Sequence, residues 1–407
     1  MNFYLNRFGI YPPLLQEKIS TDLFLSVVIP CYNEPDLLRC LKSLKNCTPT
    51  LRSVEVIIVV NHPQSAPNEI VQQNVNTYHE AVNFSLNTNS EGLKFLPLIM
   101  AFPDKDAGVG LARKAGMDEA VRRFESSGIK NGIIVCLDAD CFVSENYLFE
   151  IENYFLTHDK CNAASIYFEH PLNSVSGLNR ESIIEYELFL RVYVHGLKRA
   201  GLPFAYHTVG SSMAVRHEVY QKQGGMNKRK AGEDFYFLQK VFLLGNFGEI
   251  KTCKVFPSCR SSTRVPFGTG RAVGDALGGK KILFYDDKVF EQIKWFVEFV
   301  VSMGSKGSFK QFMDSFKGPI IDFLNTVNWE EKRIEILTHV SSEDQFRKRF
   351  FAWFDGFMVL KCVHFLSDKY FPRKEFSTWI RVSEKDPIFN KSPEALLCEL
   401  RKSDSVL

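Results

Sequence analysis

The sequence predicts an α/β fold built on a mostly parallel sheet, and three observations carry that prediction. Four apolar, β-branched runs recur before residue 140, the segments between them have helical periodicity, and the fourth run halts at two aspartates. Strands covered on both faces read as continuous apolar runs, and β-α-β order is the signature of parallel pairing.

Residues 1–22 form a Pro-containing lead-in. FLSVVIP (24–30) then reads as a buried strand. In CYNEPDLLRCLKSL, Pro35 suits a first helical turn with Asn33 or Glu34 near the cap, and Leu37, Leu38, Leu41 and Leu44 share one face. VEVIIVV (54–60) is the second strand and ends in a loop, NHPQSAP. Residues 68–92 read as a helix and a loose connection, and LKFLPLIM (93–100) as the third strand. A Gly-containing loop follows, then a helix with Leu111, Ala115, Val121 and Phe124 inward. GIIVCLD (132–138) is the fourth and most hydrophobic strand.

After residue 160 the strands shorten. NAASIYFEH reads as strand, 180–200 as a helix ended by Gly201 and Pro203, and FAYHTVGSSMAVR as extended chain. EDFYFLQKVFLLG reads as a helix closed by Gly245. The Gly- and Arg-rich segment 258–280 reads as a loop. This gives a lead-in at 1–22, an α/β domain at 23–280 and a helical C-terminal region at 281–407.

Composition narrows the function classes. Hydrophobic residues make up 45% of the 407 and charged residues 24%, which excludes disordered and low-complexity chains. Fifty Lys+Arg against 47 Asp+Glu leave a net charge of +3, too little for a nucleic-acid-coating protein, so no nucleic-acid partner is expected. The ten cysteines include no CxxC pair and no Cys/His zinc pattern. Several lie in apolar runs, so they read as reduced core thiols, and a cytoplasmic compartment is expected. The N-terminus lacks the basic-then-apolar layout of a signal peptide. The most apolar long stretch, Phe284 to Met303, carries Asp286, Asp287, Lys288, Glu291, Lys294 and Glu298 and cannot span a bilayer.

The chemistry-bearing residues sit at element ends. Asp138 and Asp140 follow a strand, at the carboxyl edge where open α/β sheets bind ligands. Alternate residues of an extended segment point the same way, so the two carboxylates can hold a hard cation such as Mg²⁺ or Mn²⁺, or form an ordinary acidic turn. Gly108 and Gly110 permit a tight turn between Asp106 and Arg113, and Arg113 can reach a phosphate or anchor Asp140. Glu233 and Asp234 open a helix, as a catalytic pair or as a plain N-terminal acid pair. Arg260, Arg264 and Arg271 lie in the 258–280 loop, suiting a lid over a diphosphate or a solvated basic loop.

Five segments in order then resemble family 2 glycosyltransferases of the GT-A fold: VVIPCYNE, AGVGLARKAGMDEA, CLDAD, VGSSMAVRHEVYQKQGGMN and GEDFYFLQKV. The resemblance covers roughly 24–270. It implies transfer of a sugar from a nucleoside-diphosphate sugar to an acceptor hydroxyl, by inversion, with Asp234 as general base beside Glu233 and Mn²⁺ or Mg²⁺ at Asp138 and Asp140. It also implies a donor site lined by Pro30, Tyr32, Asn33, Glu34, Asn61, Asp106, Arg113, Asp138, Arg264 and Arg271. The alternative for Asn33 and Glu34 is helix capping, and both roles can coexist.

The chain departs from the family pattern at three places. Asn61 stands where an Asp is usual, Lys114 where an Asn follows the Arg, and no His occurs between His217 and His339 to complete a metal site. The metal therefore rests on two Asp and the diphosphate, or is dispensable. These departures keep a second reading open, a GT-A-fold nucleotide-sugar-binding scaffold without turnover. The aromatic, helical C-terminal region reads as a helical cap or as an acceptor platform for a saccharide or lipid-linked acceptor, and its small net charge argues against a strong electrostatic membrane anchor. The setting the resemblance implies is polysaccharide or glycolipid synthesis, in the cytoplasm or peripherally at the inner face of the membrane.

Overall fold

The computed structural model describes residues 2–262, 268–306, 311, 318–382 and 391–405. The chain divides into two compact units: Met1–Ser176 with Thr208–Gly274 and Arg401–Leu407, and Gly177–His207 with Asp275–Leu400. The second unit thus takes an excursion out of the predicted α/β domain and is not confined to the residues after 281.

The first unit opens with α1 (Phe3–Phe8), β1 (Leu23–Cys31), α2 (Leu37–Lys45) and β2 (Ser53–Pro63). It continues with α3 (Asn68–Thr88), β3 (Leu93–Phe102), α4 (Val109–Ser126) and β4 (Ile133–Cys136). The short β5 (Phe142–Val143), α5 (Tyr147–Thr157) and β6 (Ala163–Phe168) precede α6 (Gly177–Arg199), which belongs to the second unit. The chain returns through β7 (Met213–Arg216), α7 (His217–Lys222), α8 (Glu233–Phe242), β8 (Phe247–Phe256) and α9 (Thr269–Leu277).

These strands form one eight-stranded sheet in the order β3-β2-β1-β4-β7-β6-β8-β5. The four predicted strands pair in parallel around β1, and β7 then runs antiparallel to both β4 and β6. All nine residues of β1 are buried, as a strand covered on both faces requires. The parallel strands end together near Cys31, Pro63, Phe102 and Cys136, and the connections leaving them form one edge.

Several local expectations are corrected. The Pro-containing lead-in is docked: Asn2 caps α1, and the buried Tyr4 hydroxyl donates to Asp118 at 2.6 Å. Tyr220 donates to the same carboxylate at 2.7 Å, and Lys114 pairs with it at 2.9 Å. The Leu14 and Leu15 amides donate to Glu119 at 3.0 and 3.3 Å. The cap of α2 is Asp36, one residue beyond Pro35, so Cys40 joins Leu37, Leu41 and Leu44 inside while Leu38 is half-buried. Only Met213–Arg216 of the predicted extended stretch pairs as a strand. β8 was not expected, because KTCKVF mixes charge and apolar residues without clean alternation. The 258–280 segment holds α9, whose three glycines at 270, 274 and 268 just before it mask a helical signal.

In the second unit α6 packs on α10 (Asp287–Met303), so closely that a Cβ at Gly196 would lie 2.7 Å from the Phe290 ring. Its core is aromatic: Phe296 meets Trp329, Phe350 and Phe354 edge-on at 5.3, 5.6 and 5.1 Å. No single helix among the described residues is long and apolar enough to cross a membrane. The pair Glu343–Trp353 and Gly356–Lys369, bent by 59°, reaches that length and composition together, and buries Phe346, Phe350, Val359, Cys362, Val363 and Leu366 within the protein.

Candidate functional site

The site assembles at the carboxyl edge of the parallel strands. β1 leaves the sheet at Cys31 and turns at Asn33, whose φ of 48° is left-handed, a conformation Asn tolerates well. The Asn33 amide donates to the Asn74 side chain at 2.8 Å, and the Asn74 amide group donates to the Asn61 carbonyl at 2.8 Å. Asn61 is buried and its amide group donates to the carbonyls of Cys31 and Val59 at 3.0 and 3.2 Å. Its NH₂ therefore ties the ends of β1 and β2 together instead of facing a ligand. Pro30 is buried within β1, and Tyr32 is half-buried.

Glu34 is fully buried. One carboxylate oxygen accepts from the Asp36 amide at 3.0 Å, and the other accepts from Arg260 at 2.5 Å. That amide belongs to the N-cap residue and no side chain caps α2, so the capping role weighed for Glu34 is not found, and its second oxygen ties Arg260 to the end of β1. Arg260 also lies in the field of Asp140 and Asp36, and the Glu34 hydrogen bond, ahead of those charges, raises its pKa. Arg271 lies half-buried on α9, and Arg264 is outside the described residues.

Asp138 and Asp140 do not sit on an extended segment. β4 ends at Cys136, and a turn closed by the Cys141 amide on the Asp138 carbonyl at 3.1 Å carries both acids. Both acids are therefore carried by a turn, and strand alternation does not set their orientation. Both are half-buried. Beneath them the Cys40 and Cys141 thiols lie 3.8 Å from the Asp138 carbonyl and the Asp140 carboxylate. Burial, and then the Asp140 charge, push both thiols well above their usual range.

Arg113 organises the centre. It lies on α4, is 2% exposed, and donates to Asp138 through Nη2 and to Glu233 through Nη1. The expected anchor was Asp140, and the pair found is one acid from each motif. Burial alone would lower its pKa, but the charges of Asp138 and Glu233 outweigh that and hold it above its ordinary value. A Cβ at Gly210 would come within 2.7 Å of the Arg113 guanidinium carbon, so the VGSS segment must carry glycine to wrap it. That requirement is invisible in sequence, because Gly210 and Arg113 are far apart along the chain.

Gly232, at φ 71°, turns the chain into α8, which starts with Glu233 and Asp234. Glu233 is 2% exposed, and burial pushes its carboxyl up to about 7 despite Arg113, with Asp234 and Asp138 adding to the rise. Asp234 is half-buried and is raised too, first by burial and partly offset by Arg113 and by the Phe235 amide at 2.7 Å. Desolvation raises Asp234 at the start of α8, where the helix dipole alone would keep a carboxylate acidic. An acid pair raised toward neutrality beside a fixed cation suits proton abstraction near pH 7.

Gly108 and Gly110 permit a close backbone approach, and the neighbour is the loop before α8. A Cβ on Gly110 would meet the Asn227 carbonyl at 2.8 Å, and one on Gly108 the Lys230 Cα at 2.9 Å, so the glycines admit the 227–230 loop. Asp106 faces Lys228 of that loop at 3.5 Å.

Among the described residues no three His, Cys, Asp or Glu side chains converge as a metal site. Asp138 and Asp140 supply hard carboxylate oxygens on one turn and are the residues that could hold a hard cation.

Residues 26–224 match the family model described as Glycosyl transferase family 2. No curated protein matches the sequence. Among solved structures, S. aureus TarS residues 1–349 in complex with UDP is 14% identical over 68% of this chain and 71% of that one, with a TM-score of 0.38. The complex of the same protein with UDP-GlcNAc gives 14%, 69%, 72% and 0.40. Likeness of that degree is too slight to carry function.

Proposed function

The chain is a glycosyltransferase whose residues 26–224 form a family 2 domain, and on that premise we propose an inverting, divalent-metal-assisted transfer from a nucleoside-diphosphate sugar with Asp234 as general base. One observation supports this most: Arg113 joins the Asp138 turn to the first turn of α8, so both motifs meet at the carboxyl edge of the sheet. The donor lies at the β1 and β4 ends, beside Tyr32, Glu34 and Arg260. Asp138 and Asp140 would hold the cation, which when bound neutralises charge on the departing diphosphate.

Asp234 takes the acceptor proton. Burial raises its affinity for that proton, and the Arg113 charge partly offsets the rise. Glu233, buried and bound to Arg113, positions the pair and does not touch the acceptor. Because both carboxyls are raised, turnover falls on the acid side nearer to neutrality than an ordinary carboxylate would place it.

The test is Asp234→Asn. It should bind nucleoside-diphosphate sugar like the wild type and lose turnover by about 10²-fold or more. Near wild-type transfer by the variant would end the base assignment. A wild type that binds donors but never hydrolyses or transfers them would favour the scaffold reading.

A further inference from the structure

The loop leading into α8 carries Lys228, Arg229 and Lys230, all exposed, and the exposed Lys105 follows β3 nearby. The loop backbone is fixed. It packs on Gly108 and Gly110, and Asn227 donates to the Glu233 carbonyl at 3.0 Å while accepting from the Arg229 amide at 3.1 Å. Its cations face outward with little neutralisation. Lys228 pairs with Asp106 at 3.5 Å, and Lys230 donates to the Asp104 backbone carbonyl at 3.0 Å and lies in the field of the Asp104 carboxylate without a salt bridge. Arg229 forms no salt bridge among the described residues; its guanidinium lies 3.7 Å from the Tyr236 ring centroid. Tyr236 is two residues beyond Asp234, so a cation on an aromatic platform stands within the first turns of the base-bearing helix.

The central Arg113 is neutralised by two carboxylates, and the donor side has its own cation in Arg260. A fixed, exposed basic loop at the start of α8 serves neither. What must approach Asp234 from outside is the acceptor. We infer that Lys228, Arg229 and Lys230 bind an anionic group on the acceptor, so that the acceptor is a chain bearing phosphate or carboxylate groups. This rests on the transferase reading above. A planar guanidinium already stacked on Tyr236 presents its edge donors to such an anion with little ordering cost.

The test compares wild type with K228Q/R229Q/K230Q by calorimetry, using inorganic polyphosphate, neutral dextran and a nucleoside diphosphate as probes. Loss of three exposed charge contacts should weaken polyphosphate binding by about tenfold or more, and high salt should erase the difference. Neutral dextran should not distinguish the proteins. Equal polyphosphate affinity in both would overturn the proposal. So would loss of binding to phosphatidylglycerol vesicles with polyphosphate binding intact, which would make the loop a membrane contact. Nucleoside diphosphate binding is read separately. Its absence from both proteins would count against the transferase reading, and the polyphosphate comparison would still decide the role of the loop.

Discussion

Replacing Arg113 with Met should make stability depend on pH in a way the wild type does not show. Glu233 is 2% exposed, so its charge cannot be rehydrated when Arg113 is removed, whereas the Asp138 side chain is 38% exposed and can be. In the wild type the Glu233 carboxyl is raised from an ordinary 4.5 to about 7. Such a group costs no stability below about pH 4.5, costs progressively more as pH rises to 7, and adds nothing further above 7 once it is ionised in both states. Each pH unit in that window is worth about 1.4 kcal/mol, so the full cost is roughly 3 kcal/mol. Without Arg113 the charged form loses its partner and the carboxyl stays protonated past neutrality. Stability then keeps falling above pH 7 by about 1.4 kcal/mol per unit, up to the new pKa. At pH 8.5 that is roughly 2 kcal/mol beyond the pH-independent loss of contacts.

The choice of assay follows from the fold. Trp295, Trp329, Trp353 and Trp379 all lie in the second unit, so fluorescence would miss the event. Native-state hydrogen exchange at the β1 and β4 amides, expressed as an opening free energy from pH 6 to 9, reads the right unit. Wild type and variant should diverge above pH 7. A gap that stays constant within about 0.5 kcal/mol across that range would refute the reasoning.

Two further outcomes are expected. Asp140→Ala should abolish the Mn²⁺-dependent part of nucleoside diphosphate binding and shift the melting temperature little, since the side chain is half-buried in a surface turn; unchanged metal dependence in calorimetry would remove Asp140 from the metal site. Gly110→Ala should cost about 1–3 kcal/mol, because the loop backbone at Asn227 cannot move without releasing Glu233; a melting curve like that of the wild type would show that the loop is not held there.

The four parallel strands were legible because doubly covered strands need nothing but apolar runs, as IIVC and VEVIIVV show. Asp138, Asp140, Glu233 and Asp234 were legible because each stands where an apolar strand or helix begins or stops. What escaped was pairing across the chain. Arg113 was a visible candidate, but its two partners lie 25 and 120 residues away, and no local pattern specifies them. The resemblance places Asn61 at the donor, whereas its amide group donates to the Cys31 carbonyl while Asn74, on another element, holds its backbone carbonyl. No local pattern in the lead-in specifies its anchoring, which depends on the buried acids Asp118 and Glu119 of α4.

The discontinuous second unit has a consequence for the nascent chain. α6 emerges from the ribosome with Ile183, Ile184, Leu188 and Val192 on the face it will bury, yet α10, against which it packs, begins only at Asp287. At about 5–20 residues per second that partner arrives roughly 5–20 s later. Through that interval β7 and β8 must join the sheet around an unfinished insertion with a sticky helix. Newly made chains should therefore depend on chaperones that shield exposed apolar helices, and slowing translation between codons 200 and 287 should lengthen that dependence.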